Sequence, residues 1–266
     1  RLQSGDEVRI PPIRYTEKES EHSAPPLKLS EMPPILFEDQ NIMVVDKPAG
    51  MASHGGSGIS YGLIERMRAS RPEIPFLELV HRLDRGTSGV LVLAKTRKAL
   101  VRLHEMIREG EMHKTYQALV KGDWQNDRQH AKFPLFKYVT PSGERRVRVD
   151  PENGLPSHSI FRLKERFGPV SLVEVDLLTG RTHQIRVHAA ELGFPLVGDE
   201  KYGDFAFNDE VAHGSLGVPF KRMFLHSGKI CFHHPITGEE LEIEAPLPKD
   251  CVELIEVLEQ RKAQNK

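Results

Sequence analysis

The sequence predicts an α+β fold, a mixed and largely antiparallel sheet flanked by helices. Three observations carry that expectation. Short apolar or alternating runs succeed one another along most of the chain, helix-patterned segments are few and scattered among them, and the strict alternation of strand and helix that builds a parallel sheet is missing. With 266 residues and 38% hydrophobic content, the chain is long enough to bury a substantial core. No internal repeat stands out.

The chain opens on "LQSGDEVRIPP", a Gly-Asp turn leading into a short strand, so residues 1–12 read as the tail of something removed. Residues 13–33 are rich in Pro, Glu, Ser and Lys with little apolar periodicity, which is linker composition. The folded domain is therefore expected over 34–266. Within it, "ILFEDQNIMVVDKPAG" offers two short strands, the second a buried run from Ile42 to Val45 that Lys47-Pro48 brings to an end. "HGGSG", His54 to Gly58, reads as a plain loop, because no Gly-Lys-Ser/Thr follows to make it a phosphate cradle. "ISYGLIERMRAS" has a helical pattern. Val90 to Ala94 is a buried strand, and Arg97 to Arg108 a helix with Leu100, Leu103 and Ile107 on one side. Asp84 then falls in a loop between two strands.

Further on, "HKTYQALVKG", "SIFRLKERF" and "VSLVEVDLL" alternate as strands. "TGRTHQIRVHAAELGFP" predicts a helix of about ten residues, with Thr182 as N-cap, Gly193 as C-cap and Pro195 beyond. "RMFLHSGKICFHHPITGEELEIEAPLP" reads as strand, turn and strand, followed by an acidic helix from about Lys249.

No window approaches the roughly 18 to 20 apolar residues of a membrane span, and the N-terminus lacks a signal-peptide layout, so a cytoplasmic chain without membrane contact is expected. Cys231 and Cys251 are too few for a disulfide framework and read as small buried apolar residues. The formal net charge of −1 argues at first against nucleic acid. Its distribution argues otherwise: His81 to Lys114 holds eight Lys or Arg against four acids, whereas Glu239 to Lys266 holds eight acids against four bases. "ERRVR", Glu144 to Arg148, adds a second basic cluster. Solvated faces of ordinary helices and strands would give the same runs.

Thirteen histidines raise the question of a metal. His183 and His188, five apart on a helix, diverge by about 140°. His233 and His234 point to opposite faces of a strand, and no His-Glu-x-x-His occurs, so no metal site is predicted. Carboxylate chemistry is what remains for an enzyme. Asp84, in "HRLDRGTSG", could be a turn residue or an ion-pair partner. Its neighbours Arg82 and Arg85 point further, because their charge would keep a carboxylate ionised, as a nucleophile requires, and could equally hold phosphates.

"HRLDRGTSG" with "LVLAKT" resembles the signature of the RluA family of pseudouridine synthases. "KTYQALVKG", "TGRTHQIRVHAAELGFPLVGDEKYG" and "RMFLHSGKICFHHPITGE" match the family in the expected order, so the resemblance runs from about Pro34 to Pro248. The opening "SGDEVRIPP" resembles the end of the S4-type RNA-binding domain that many members carry. The loop "SHGGSG" and "FLELVHRLDR" are similar to the subgroup acting on bacterial 23S ribosomal RNA, although Gly86 stands where an acidic or polar residue is common.

The resemblance implies an RNA-modifying isomerase that turns specific uridines into pseudouridine, a monomer working on ribosomal large-subunit RNA, with no DNA partner, no cofactor and no metal. It implies that Asp84 is the catalytic carboxylate, attacking ribose C1′ or C6 of the base, or removing the C2′ proton. Tyr116 matches the tyrosine that lies against the uracil, where a ring would recover roughly 1 to 3 kcal/mol of lost stacking. Arg186 matches the arginine that pairs with the catalytic carboxylate, with Arg181 the competing candidate. Arg82 matches a residue that fills the space left by the flipped uridine, and Leu225 the apolar residue on the other side of the base. A non-catalytic RNA-binding module, a synthase acting on another RNA such as tRNA, and a carboxylate hydrolase are the alternatives. The hydrolase would need a second acid opposite the first, and no motif supplies one.

Overall fold

The computed structural model describes residues 24–28, 31–56 and 61–264. The expected S4-like tail at 1–12 and most of the expected linker lie outside them, as does part of the "HGGSG" loop. Within the linker stretch, Leu27 is buried in the core, its N–H donating to Ser70 Oγ at 2.7 Å, and Met32 packs against the same cluster. The chain thus joins the core upstream of Pro34.

In chain order the elements are β1 (Ile35–Glu38), β2 (Ile42–Lys47), α1 (Leu63–Ser70), β3 (Glu78–Leu79), β4 (Ser88–Ala94) and α2 (Arg97–Glu109). There follow β5 (His113–Lys121), β6 (Arg128–Ala131), β7 (Leu135–Val139), β8 (Arg145–Val149), β9 (Ser159–Arg166) and β10 (Val170–Leu177). The last are α3 (Gln184–Glu191), α4 (Phe205–Ala212), β11 (Leu225–His233), β12 (Glu240–Glu244) and α5 (Lys249–Gln264).

Ten strands form one sheet in the order β1-β2-β4-β11-β5-β10-β9-β6, with β12 paired to β11 and β3 to β4. Its pairings are antiparallel except β4 with β11, which is parallel. β7 and β8 form a separate antiparallel hairpin. The predicted mixed, largely antiparallel sheet is what the chain builds.

Helices cover both faces, which explains why the central strands read as continuous apolar runs. Met43 and Val45 of β2 face one core with Leu91 and Leu93 of β4, closed by α1 and α3. Ile42 and Val44 face a second core with Val90 and Val92, closed by α2. A third gathers Leu119, Val197 and Phe224 under α4 and α5. In α2 the inward stripe is Ala99, Leu103 and Met106, with Leu100 and Ile107 at its margins. The helix is capped by Thr96, whose side chain accepts from Ala99 N, and stopped by Gly110 at φ 76°. Cys251 is buried as expected, but Cys231 is only partly buried, its thiol beside Glu242.

α3 departs from its predicted ends. Thr182 does not cap it; the N-cap is His183, in the left-handed region at φ 53° and without a side-chain cap bond, and the helix has eight residues. Gln184 takes over the task, its Oε1 accepting from Arg181 N at 3.0 Å and from Thr179 Oγ1 at 2.7 Å. Gly193 still follows the last turn at φ 85°, one residue past the C-cap Leu192.

Candidate active site

The Asp84 loop emerges where the sheet divides. β2 pairs along Gly89 to Ala94 of β4, while the other edge of β4 is shared, β3 taking Leu93–Ala94 and β11 taking Ser88–Gly89. Residues 80–87 leave through the gap between these two partners. Gly89 makes the β11 contact possible: at φ 110° its backbone lies so close to Ser227 that a Cβ would sit 2.2 Å from the Ser227 carbonyl oxygen.

Buried polar bonds fix the loop. Ser53 Oγ donates to Leu83 O at 2.8 Å and accepts from Leu83 N at 3.0 Å. Thr87 N donates to Asp84 O at 3.1 Å, closing a turn, and Gly50 N donates to Arg85 O at 2.7 Å. Beneath lies Lys47, a fully buried lysine whose ammonium donates to the carbonyls of Met51 at 2.7 Å, Pro48 at 2.9 Å and Arg85 at 3.4 Å. Burial pushes its pKa down to about 7, with Asp84 pulling the other way.

Asp84 and Arg186, 102 residues apart, meet at 3.0 Å between Asp84 Oδ2 and Arg186 Nη1. The opposite side of the guanidinium is forked on Asp199, with Nε to Oδ2 and Nη2 to Oδ1 both at 2.7 Å. Asp199 is itself held by the N–H groups of Lys201 and Tyr202. Burial works against the charge on Arg186, yet the Asp199 fork and the Asp84 contact outweigh it and hold the guanidinium above its ordinary pKa. Burial likewise opposes the Asp199 charge, and Arg186 again outweighs it. The result is a cation fixed in direction with one nitrogen left for Asp84.

Arg82 and Arg85 flank Asp84 in the loop. Neither pairs with Asp84: Arg82 Nη1 donates to His54 Nε2 at 2.6 Å, and Arg85 Nε donates to Gly50 O at 3.0 Å. Arg181, the competitor of Arg186, donates to Pro156 O at 3.2 Å. All three still line the same cavity.

That cavity has a volume of about 1110 Å³ and is walled by Asp84, Tyr116, Arg186 and Leu225, among others. Tyr116 and Leu225 are neighbours through the β5–β11 pairing, which sets Ala118 against Leu225 and Tyr116 against Ser227. Tyr116 is buried, and burial drives its hydroxyl pKa up, the Ser227 hydrogen bond opposing and the Asp84 charge adding. Lys114, two residues along β5, also lines the cavity, its pKa lowered by burial to about 8. Arg108, Lys137 and Arg145, all exposed, line the cavity as well. The structure therefore brings together all five side chains singled out from the sequence: Asp84, Tyr116, Arg186, Arg82 and Leu225.

Three further groups were not singled out for this place. Asp199 and Lys47 anchor Arg186 and the Asp84 loop. His183 Nε2 lies 3.9 Å from Asp84 Oδ2, with its Nδ1 2.7 Å from the Tyr202 hydroxyl. Among the described residues no group of three or more His, Cys, Asp or Glu side chains gathers as metal ligands would.

Residues 41–191 match the family described as RNA pseudouridylate synthase. Ribosomal large subunit pseudouridine synthase C of Salmonella typhi is 50% identical over 262 residues, covering 97% of this chain and 81% of that protein. The protein of the same name from Escherichia coli strain K12 is 50% identical over 251 residues, 93% of this chain and 77% of its own length. Among solved structures, human RNA pseudouridylate synthase domain containing 1 aligns with a TM-score of 0.65 and 26% identity, over 86% of this chain and 95% of that one. Human RNA pseudouridylate synthase domain containing 4 shares the fold at a TM-score of 0.69 and 23% identity, over 85% and 92%.

Proposed function

The chain belongs to the RNA pseudouridylate synthase family, and from that premise we propose that Asp84 is its catalytic carboxylate, acting on a uridine turned out of its RNA into the cavity. The RNA is that of the large ribosomal subunit, in line with the names of the relatives that share half its residues. We propose further that the enzyme works in the cytoplasm as a monomer.

Pseudouridine formation cleaves the bond from uracil N1 to ribose C1′, rotates the base and joins C1′ to C5, whose hydrogen leaves as a proton. Attack at C1′ or C6, or removal of the C2′ proton, each needs an ionised carboxylate with an unblocked oxygen. One observation carries the proposal: Arg186, locked by Asp199, takes Oδ2 of Asp84, while no described side chain holds Oδ1. The arginine orients the carboxylate and the other oxygen faces the substrate.

Tyr116 and Leu225 bracket the uracil, the ring by stacking and the leucine by apolar contact. The tyrosine hydroxyl, kept protonated by burial, retains its proton near neutral pH. Arg82 sits on the exposed arm of the Asp84 loop, where it can occupy the gap the uridine leaves in the RNA. Extruding the base costs a few kcal/mol.

The test is tritium release from 23S ribosomal RNA transcripts labelled at uridine C5. The native chain is expected to release tritium and Asp84→Asn to fall to background while still binding the transcript. Undiminished release by Asp84→Asn would overturn the assignment.

A further inference from the structure

His183 combines an unusual backbone conformation, a hydrogen bond to Tyr202 and a place beside Asp84. It has a positive φ of 53°, among the described residues the one non-glycine to do so. Such a backbone conformation is strained and persists where the surroundings enforce it. Here it swings the ring off the start of α3 into the space between Tyr202 and Asp84.

The tautomer of that ring follows from hydrogen-bond counting. The Tyr202 hydroxyl accepts from Val147 N of β8 at 2.9 Å, a backbone donor that cannot reverse. Its own proton then needs an acceptor, and His183 Nδ1 stands 2.7 Å away. Were Nδ1 to carry the hydrogen instead, the half-buried hydroxyl proton would lose this acceptor, and the lone pair of Nε2 would face the Asp84 carboxylate. Both consequences are unfavourable, so Tyr202 donates to Nδ1 and Nε2 bears the N–H.

We propose that His183 is a positioning residue: fixed by Tyr202 as the Nε2–H tautomer, it presents a donor to the same Asp84 oxygen that Arg186 holds. This rests on the assignment of Asp84 as the catalytic carboxylate. At 3.9 Å the contact to Oδ2 is electrostatic and becomes a hydrogen bond by a small movement of the carboxylate toward the ring. With Arg186 and His183 both on Oδ2, the reacting oxygen is Oδ1.

The surroundings favour the neutral ring. Burial lowers its pKa first, Arg186 and Lys201 lower it further, and Asp84 and Asp199 oppose them without prevailing. Tyr202 in turn is seated by the β7–β8 hairpin. Besides the Val147 bond, Lys201 Nζ meets Glu144 Oε1 at 2.7 Å and Arg146 Nη1 donates to Lys201 O at 3.2 Å. The hairpin therefore reaches Asp84 through Val147, Tyr202 and His183.

The experiment measures single-turnover tritium release from C5-labelled 23S transcripts, together with 15N NMR of the histidine ring and transcript affinity. His183→Ala is expected to slow release by about tenfold, equivalent to roughly 1.4 kcal/mol of barrier, with affinity unchanged. His183→Gln, whose carboxamide can place an N–H near the Nε2 position, is expected to recover most of that loss. Tyr202→Phe should slow release similarly and move the His183 ring away from the Nε2–H tautomer seen in the native chain. Equal losses in the Ala and Gln variants, or a native rate and unaltered tautomer in Tyr202→Phe, would overturn the proposal. Active Asp84→Asn would instead remove the assignment on which it rests.

Discussion

Arg186 carries two carboxylates on one guanidinium, and the two are not equivalent. Asp199 has no exposed side-chain surface, whereas that of Asp84 is 27% exposed, so one anchors and the other is left to react. Asp199→Asn keeps the shape but sets an amide against the guanidinium, breaking the fork and leaving a buried cation undercompensated. A loss of about 3 to 5 kcal/mol is expected in urea unfolding, along with slower tritium release. Lys47 gives a pH-dependent counterpart. Its folded pKa of about 7 lies below the ordinary 10.5 of the unfolded chain. Below the lower value both states hold the proton, and between the two only the unfolded state does, so its contribution to stability rises with pH across that window. Unfolding at pH 6, 7.5 and 9 should show the native chain gaining stability with pH relative to Lys47→Met; parallel profiles would refute it. Asp84, Tyr116, Arg186, Arg82 and Leu225 were all legible because each sits inside a recognisable motif. Asp199 and Lys47 were not: Asp199 lies in a matched stretch too, but neither an acid after "PLVG" nor a lysine ending a strand carries a spacing that announces a buried partner. That Arg82 and Arg85 turn to His54 and Gly50 rather than to the Asp84 carboxylate was hidden for a related reason: adjacency in a loop does not set where two long side chains point.

At the scale of elements, apolar patterning located the strands that have helices over them. β2, β4, β5, β9 and β10 were all evident, as were α2 and α5. β6, β7 and β8 were not, because "RQHA", "LFKYV" and "RRVRV" are short, polar or charged and lie at the end of the sheet or outside it. α3 was found but misbounded. Six of its eight residues are buried, polar ones included, so it has no amphipathic stripe to mark its start, and its first turn is satisfied by the Gln184 side chain. The point where elements meet most tightly is β4 against β11. Gly89→Ala faces both an unfavourable φ of 110° and a carbonyl 2.2 Å from the new Cβ. A loss on the order of 3 kcal/mol is expected in thermal unfolding. Because the Asp84 loop ends at that pairing, activity should fall faster than stability as temperature rises. A variant as stable as the native chain would mean that β11 can shift away without cost.

Across the whole molecule, a net charge of −1 conceals a division of charge that the composition alone could not locate. Glu240, Glu242 and Glu244 on β12, with Asp250, Glu253, Glu256 and Glu259 on α5, gather acids into the C-terminal elements. Arg82, Arg85, Arg108, Lys137, Arg145 and Arg181 line the cavity. Counting residues along the chain showed the basic middle, but not which cations are available. In "ERRVR", Arg146 is taken by Glu144, and Arg148 by Asp150 with its guanidinium over Phe136 and Tyr138, whereas Arg145 pairs with no described acid. An exposed, unpaired cation lining the cavity is free to meet a phosphate and release its counterions. Each such contact lowers the slope of log K against log salt by about 0.7 to 0.9. Arg145→Ala should therefore weaken RNA binding and flatten the slope by about that amount, uniformly across RNA sequences. Arg102 on α2 is the control: it already faces Glu105, Glu109 and Glu111, and Arg102→Ala should leave the slope as it was. Equal slopes for native, Arg145→Ala and Arg102→Ala chains would mean that RNA approaches by another face. A change confined to Arg145→Ala would place a phosphate at the hairpin, beside the Val147 that steadies Tyr202.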